Sequence, residues 1–62
     1  MLANYLVKDR IAFITINRPD KRNALNANLV SDLCNLFDQA ENDAQVKIII
    51  LNAEGDVFSA GA

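Results

Sequence analysis

The chain has 62 residues, 52% of them hydrophobic and 23% charged, with a formal net charge of −2 at pH 7. It is too short for more than one domain, too apolar for a disordered tail, and its scattered basic residues do not make a nucleic-acid-binding face. No apolar run approaches the ~20 residues of a membrane span, and Met1-Leu2-Ala3-Asn4-Tyr5 lacks the features of a signal peptide, so no membrane partner is expected and the expected location is cytoplasmic.

Tyr5-Leu6-Val7-Lys8 reads as a short strand, and Asp9-Arg10 as a two-residue connection. Ile11–Ile16 follows as a second strand, rich in β-branched and aromatic residues. Apolar side chains fill both of its alternating sets, which predicts cover on both faces. Pro19 ends the strand because it has no N–H for a ladder, and Arg18 to Asn26 forms a polar loop interrupted by Ala24 and Leu25.

Beyond that loop the period changes. Leu29, Val30, Leu33, Leu36, Phe37 and Ala40 recur at three- and four-residue spacings, the apolar stripe of a helix with Asn26 as N-cap and Asn42-Asp43 as exit. Val46–Leu51 is then expected to be the most strongly β-forming strand, again apolar on both faces. Asn52 to Asp56 is a turn cluster, and Val57-Phe58 leads into Ser59-Ala60-Gly61-Ala62.

The order strand, strand, helix, strand predicts an α/β unit whose crossover gives parallel strands. One helix cannot cover two strands that are apolar on both faces. The pattern therefore calls for packing partners beyond these residues, and a chain this short would in any case be marginally stable. With one cysteine it has no internal disulfide to compensate.

Two segments could carry chemistry, and each follows a strand, where α/β folds place ligands. The first is Asn17 to Asn26. Read plainly, it is a Pro-initiated turn with solvated charges; read functionally, Arg18, Lys21 and Arg22 could hold phosphate beside the small apolar pair Ala24-Leu25. The second is Phe58 to Ala62. Read plainly, it is a tight turn with Gly61 at positive φ; read functionally, its small residues let backbone amides approach an anion closely.

Other chemistries lack their residues. Ser59 has neither the flanking glycines of a nucleophile elbow nor any histidine to act as base. Asp32, Asp38 and Glu41 merely share a helix region, so no metal site is expected. Cys34, three residues from Phe37 and four from Val30, is expected to pack near the apolar stripe.

Taken together, Ile14-Thr15-Ile16-Asn17-Arg18-Pro19-Asp20-Lys21-Arg22-Asn23-Ala24-Leu25-Asn26 and Phe58-Ser59-Ala60-Gly61-Ala62, separated by a helix and a strand, resemble the crotonase (enoyl-CoA hydratase/isomerase) family. The resemblance covers nearly the whole chain. It implies the N-terminal strand–strand–helix–strand portion of a crotonase-like (ClpP/crotonase) spiral fold, incomplete as it stands. It also implies an acyl-CoA thioester substrate whose carbonyl is polarised by two backbone amides, the coenzyme A being part of the substrate and no other cofactor being required.

By that resemblance Ala62 gives the first oxyanion amide and Gly61 permits the turn. Ala60 meets the CoA adenine, Lys21 and Arg22 face the CoA phosphates, and Ala24 and Leu25 line the nucleotide and pantetheine path. The second amide and the two acid/base glutamates of hydratases lie downstream of these motifs, and Glu41 and Glu54 match neither role. Enoyl-CoA hydratase is the leading expectation. Isomerase, methylglutaconyl-CoA hydratase and acyl-CoA hydrolase activities share these opening motifs, and the whole protein is expected as a homotrimer or dimer of trimers. The rival from another class is a self-contained, non-catalytic α/β binding module.

Overall fold

The computed structural model describes residues 2–61. Three strands form one sheet in the order β1 (Ala3–Lys8), β2 (Ile11–Ile16), β3 (Ile48–Ala53). β1 and β2 are antiparallel, with Ala3 opposite Ile16 and Lys8 opposite Ile11. Asp9 and Arg10 join them with φ of 53° and 66°, the pair of left-handed residues that a tight two-residue hairpin needs. β2 and β3 are parallel, with Ile11 opposite Ile48 and Ile16 opposite Ala53, and the helix α1 (Ala27–Glu41) lies in the connection between them. The crossover thus gives the parallel pair that the order of elements predicts.

α1 starts where its cap chemistry dictates. Asn26 is extended, with φ −137° and ψ 175°, and its side-chain oxygen accepts from the Leu29 N–H at 2.8 Å. The helix packs on β1 and β2. Leu29, Leu36 and Ala40 are buried, and Leu29 and Leu36 pack with Ile14 and Ile16 of β2 and Ala3 of β1. The side chains of β2 alternate, with Ala12, Ile14 and Ile16 buried beneath the helix and Ile11, Phe13 and Thr15 half-buried on the other face.

Four expectations are corrected. β1 begins at Ala3 and not at Tyr5. β3 runs from Ile48 to Ala53, two residues later than Val46–Leu51: the Val46 N–H closes a turn on the Asp43 carbonyl, and the pairing with β2 begins only where Ile11 lies opposite Ile48. Nor is β3 buried on both faces: Ile48 is 55% exposed, and Ile49, Ile50 and Leu51 are 37–38% exposed. α1 sits over β1 and β2, and nothing among the described residues pairs the free edge of β3 or covers its outer face. An apolar parallel strand in this state normally has cover on both sides.

Cys34 is exposed, as is Val30 at 45%. Each helical residue turns about 100°, so Val30 and Cys34, one position past Leu29 and Leu33, fall on the shoulder of the stripe. Spacing to Phe37 placed Cys34 nearer the core than the geometry does, because Phe37 itself lies at the stripe's margin and is only partly buried.

Candidate functional site: two loops paired through their backbones

The first loop begins with a short 3-10 turn at Pro19–Lys21, then passes through Arg22 and Asn23 with φ of 54° and 56°. Two successive left-handed residues reverse the chain. Asparagine tolerates this conformation; arginine does so at a cost of roughly 1–2 kcal/mol. The turn is closed by main-chain bonds from Arg22 N–H to the Pro19 carbonyl at 3.0 Å and from Ala24 N–H to the Lys21 carbonyl at 3.1 Å. Arg18 is spent on this architecture: its guanidinium donates to the Ala24 carbonyl at 2.7 Å. Of the three cations the sequence groups together, Lys21 and Arg22 therefore remain the exposed pair.

The second loop leaves β3 at Ala53 and turns at Gly55, whose φ is 86°. It then runs back alongside the first loop. Ala60 N–H donates to the Arg22 carbonyl at 3.0 Å, and Leu25 N–H donates to the Gly61 carbonyl at 2.8 Å. These bonds bring Arg22 and Leu25 together with Ala60 and Gly61, residues more than 30 positions away. Gly61 adopts φ 93°, as expected for a glycine turn.

Lys21, Arg22, Ala60 and Gly61 are exposed, whereas Ala24 and Leu25 are half-buried. The Leu25 side chain leans on the core below, so one side of it supports the loop. Ala62, assigned to carbonyl polarisation, lies outside the described residues.

Sequence reasoning listed Asn23 only as a member of its motif, and the structure gives it the central place. It is 1% exposed and is the one buried polar side chain among the described residues. Its Oδ1 accepts from the Arg18 N–H at 2.8 Å, and its Nδ2 donates to the Glu54 and Val57 carbonyls at 2.6 and 2.7 Å. The signal available in the sequence was an asparagine just after a Pro-initiated turn, a residue able both to enter a left-handed turn and to satisfy backbone groups.

Between the Pro19–Asn23 turn and the Glu54–Val57 turn lies a cleft of about 420 Å³. Of the expected binding residues only Arg22 lines it. Glu54 and Asp56 also border it, and their carboxylates oppose a polyphosphate there.

The sequence model of the enoyl-CoA hydratase/isomerase family matches residues 7–62. The chain belongs to that family. It is 43% identical over 54 residues to "Probable 3-hydroxyisobutyryl-CoA hydrolase 2" of Arabidopsis thaliana, an alignment covering 87% of this chain and 14% of that protein. It is 37% identical over 57 residues to trans-2-decenoyl-[acyl-carrier-protein] isomerase of Streptococcus mutans, covering 92% of this chain and 22% of that protein. In structure it superposes on an enoyl-CoA hydratase/isomerase from Mycobacterium paratuberculosis with a TM-score of 0.97 and 35% identity, over 100% of this chain and 24% of that one.

The mixed sheet and its single helix are thus the enoyl-CoA hydratase/isomerase fold over this stretch. The chain spans about a quarter of the solved relative's length and less of the two curated ones. The relatives named here differ in reaction: a hydrolase, an isomerase and a hydratase/isomerase share this stretch.

Proposed function

We propose that these residues form the thioester-holding corner of an acyl-CoA-processing enzyme, most specifically an enoyl-CoA hydratase that adds water across a 2-enoyl thioester through an enolate. The observation that carries the reading is the backbone pairing of the two motif loops, Arg22 with Ala60 and Leu25 with Gly61. It puts a basic, exposed turn beside a run of small residues, whose own Ala60 and Gly61 amides are engaged within the two loops.

In this mechanism the Ala62 N–H donates to the thioester oxygen as negative charge develops there. One such preorganised donor contributes about 2.7–4 kcal/mol in comparable sites. Gly61 sets the direction of that amide, and Ala60 contacts the adenine. Lys21 supplies a point charge and Arg22 a planar fork to the CoA phosphates. Ala24 and Leu25 border the path of the nucleotide and pantetheine.

Hydration also needs a group to take a proton from water and one to deliver a proton to carbon. Glu41 ends α1 and Glu54 follows β3, both exposed, and neither is assigned these roles. The second amide and the acid/base pair are expected from other parts of the protein, which by the same resemblance works in the cytoplasm as a homotrimer or dimer of trimers. A second reading, double-bond isomerisation or thioester hydrolysis, is favoured by the names of the relatives. Both use the same polarised carbonyl: isomerisation changes only the groups that move protons, whereas hydrolysis also needs attack of water or a side chain on that carbonyl, with the C–S bond breaking and the CoA thiol leaving.

The test is turnover of the full-length protein on 2-enoyl-CoA, followed by loss of the enoyl absorbance, together with the charge-removing pair Lys21→Ala and Arg22→Gln. Losing one charge-assisted contact is expected to raise KM for the CoA thioester about tenfold, equivalent to about 1.4 kcal/mol. KM for the corresponding pantetheine thioester, which has no nucleotide phosphates, is expected to stay unchanged. Equal changes for the two substrates would remove Lys21 and Arg22 from the phosphate site.

A further inference from the structure

Every polar atom of Asn23 is engaged, and every partner lies in one of the two loops. Besides its side-chain bonds to Arg18, Glu54 and Val57, its N–H donates to the Arg18 carbonyl at 2.7 Å. Its own carbonyl accepts from the Ser59 hydroxyl at 2.9 Å. That hydroxyl in turn accepts from the Gly61 N–H at 3.1 Å. Hydrogen bonds therefore link the Asn23 carbonyl through Ser59 to the Ala60–Gly61 peptide.

An asparagine retained only to satisfy its own burial could be replaced by an apolar residue. This one instead supplies both amide hydrogens to carbonyls of a loop that otherwise has little to hold it. Gly55, Asp56, Phe58 and Ala60 are all exposed, and no regular element follows β3 among the described residues. Removing the Asn23 side chain leaves the Glu54 and Val57 carbonyls without their donor, and residues 55–58 then keep no bond to the first loop among those described, the remaining ties being at Glu54, Ser59, Ala60 and Gly61.

We propose that Asn23 is a positioning residue for the carbonyl-polarising segment: its side chain fixes residues 54–57 and its carbonyl, through Ser59, fixes residues 59–61, which together aim the segment's amide at the thioester oxygen. The inference rests on the acyl-thioester reading above. It concerns geometry and not binding, so its effect falls on kcat and on the polarisation of the bound carbonyl. A misplacement of about 1 Å in such a site costs about a hundredfold in rate.

The experiment compares wild-type full-length protein with Asn23→Gly, which keeps the left-handed backbone easy and removes only the side chain. A saturated acyl-CoA with a ¹³C-labelled thioester carbonyl is bound to each, and its infrared C=O stretch is read beside kcat and Kd. The expected result is a fall in kcat of about a hundredfold, Kd within about threefold, and a stretch that returns toward that of free thioester. Wild-type kcat and wild-type stretch in a folded Asn23→Gly protein would overturn the proposal.

Should that variant fail to fold, Ser59→Ala cuts the path at its last link with a smaller change. It is expected to show the same direction of shift, with Ser59→Thr restoring it; an unshifted stretch in Ser59→Ala overturns the proposal. Absence of any stretch shift in the wild type overturns the thioester reading and this inference with it, an outcome distinct from a shift that the variants retain.

Discussion

Gly61→Ala in the full-length protein is expected to lower kcat by a factor of 10²–10³ while leaving substrate binding within a few fold, the loss measured when one oxyanion donor is removed. The reason is conformational and not steric. Gly61 holds φ at 93°, and a Cβ built there meets no atom within 4 Å. Alanine fits the space but strains the backbone, which relaxes by turning the Gly61 peptide. That rotation disturbs the bond from Leu25 N–H to the Gly61 carbonyl and re-aims the next amide, the one assigned to the thioester oxygen. Steady-state kinetics on 2-enoyl-CoA, with a thermal melt to show that folding is retained, checks this. A kcat within threefold of wild type would mean that this turn does not govern carbonyl polarisation.

Leu29→Ala is expected to have the largest effect on stability, about 2–5 kcal/mol. Leu29 is fully buried against Ala3, Ile14 and Ile16, and its N–H is the one that Asn26 caps. The deletion opens a void in the layer between α1 and the sheet, beneath the point where the first loop enters the helix. A urea titration of the full-length protein reads the change as a lower midpoint at unchanged slope. A shift below 1 kcal/mol would show that the helix start does not anchor this layer.

Much of the architecture was legible because it depends on local rules. The β-branched run at Ile11–Ile16, the capping Asn26 and the period of Leu29, Leu33, Leu36 and Ala40 each point to one element, and each formed. Boundaries were less legible. β3 starts at Ile48 because its partner strand begins opposite it at Ile11 and the Val46 N–H is taken by the Asp43 carbonyl, an effect that Val46 and Lys47 do not announce. The side of the helix occupied by Cys34 was misjudged because spacing to a marginal residue, Phe37, says little about the centre of the stripe.

For the site, motif resemblance chose the two loops and the structure brings them side by side. What the motifs alone did not disclose is the means. Arg18 turned out to be a loop strut in place of a third phosphate-facing cation, since its guanidinium reaches the Ala24 carbonyl. Asn23 turned out to hold the loops together, because its partners are backbone carbonyls with no signature in sequence. The two left-handed residues Arg22 and Asn23 belong to the same device: they turn the chain so that the Asn23 side chain enters the space between the loops.

The most direct measurement is a crystal structure of the full-length protein with a bound, non-reactive acyl-CoA thioester. The expected result places the thioester oxygen within hydrogen-bond distance of the Ala62 N–H, the adenine against Ala60, and the phosphates on the Lys21 and Arg22 side. A thioester seated instead in the cleft between Pro19 and Val57, or a carbonyl directed away from residues 60–62, would contradict the assignment of these loops to carbonyl polarisation.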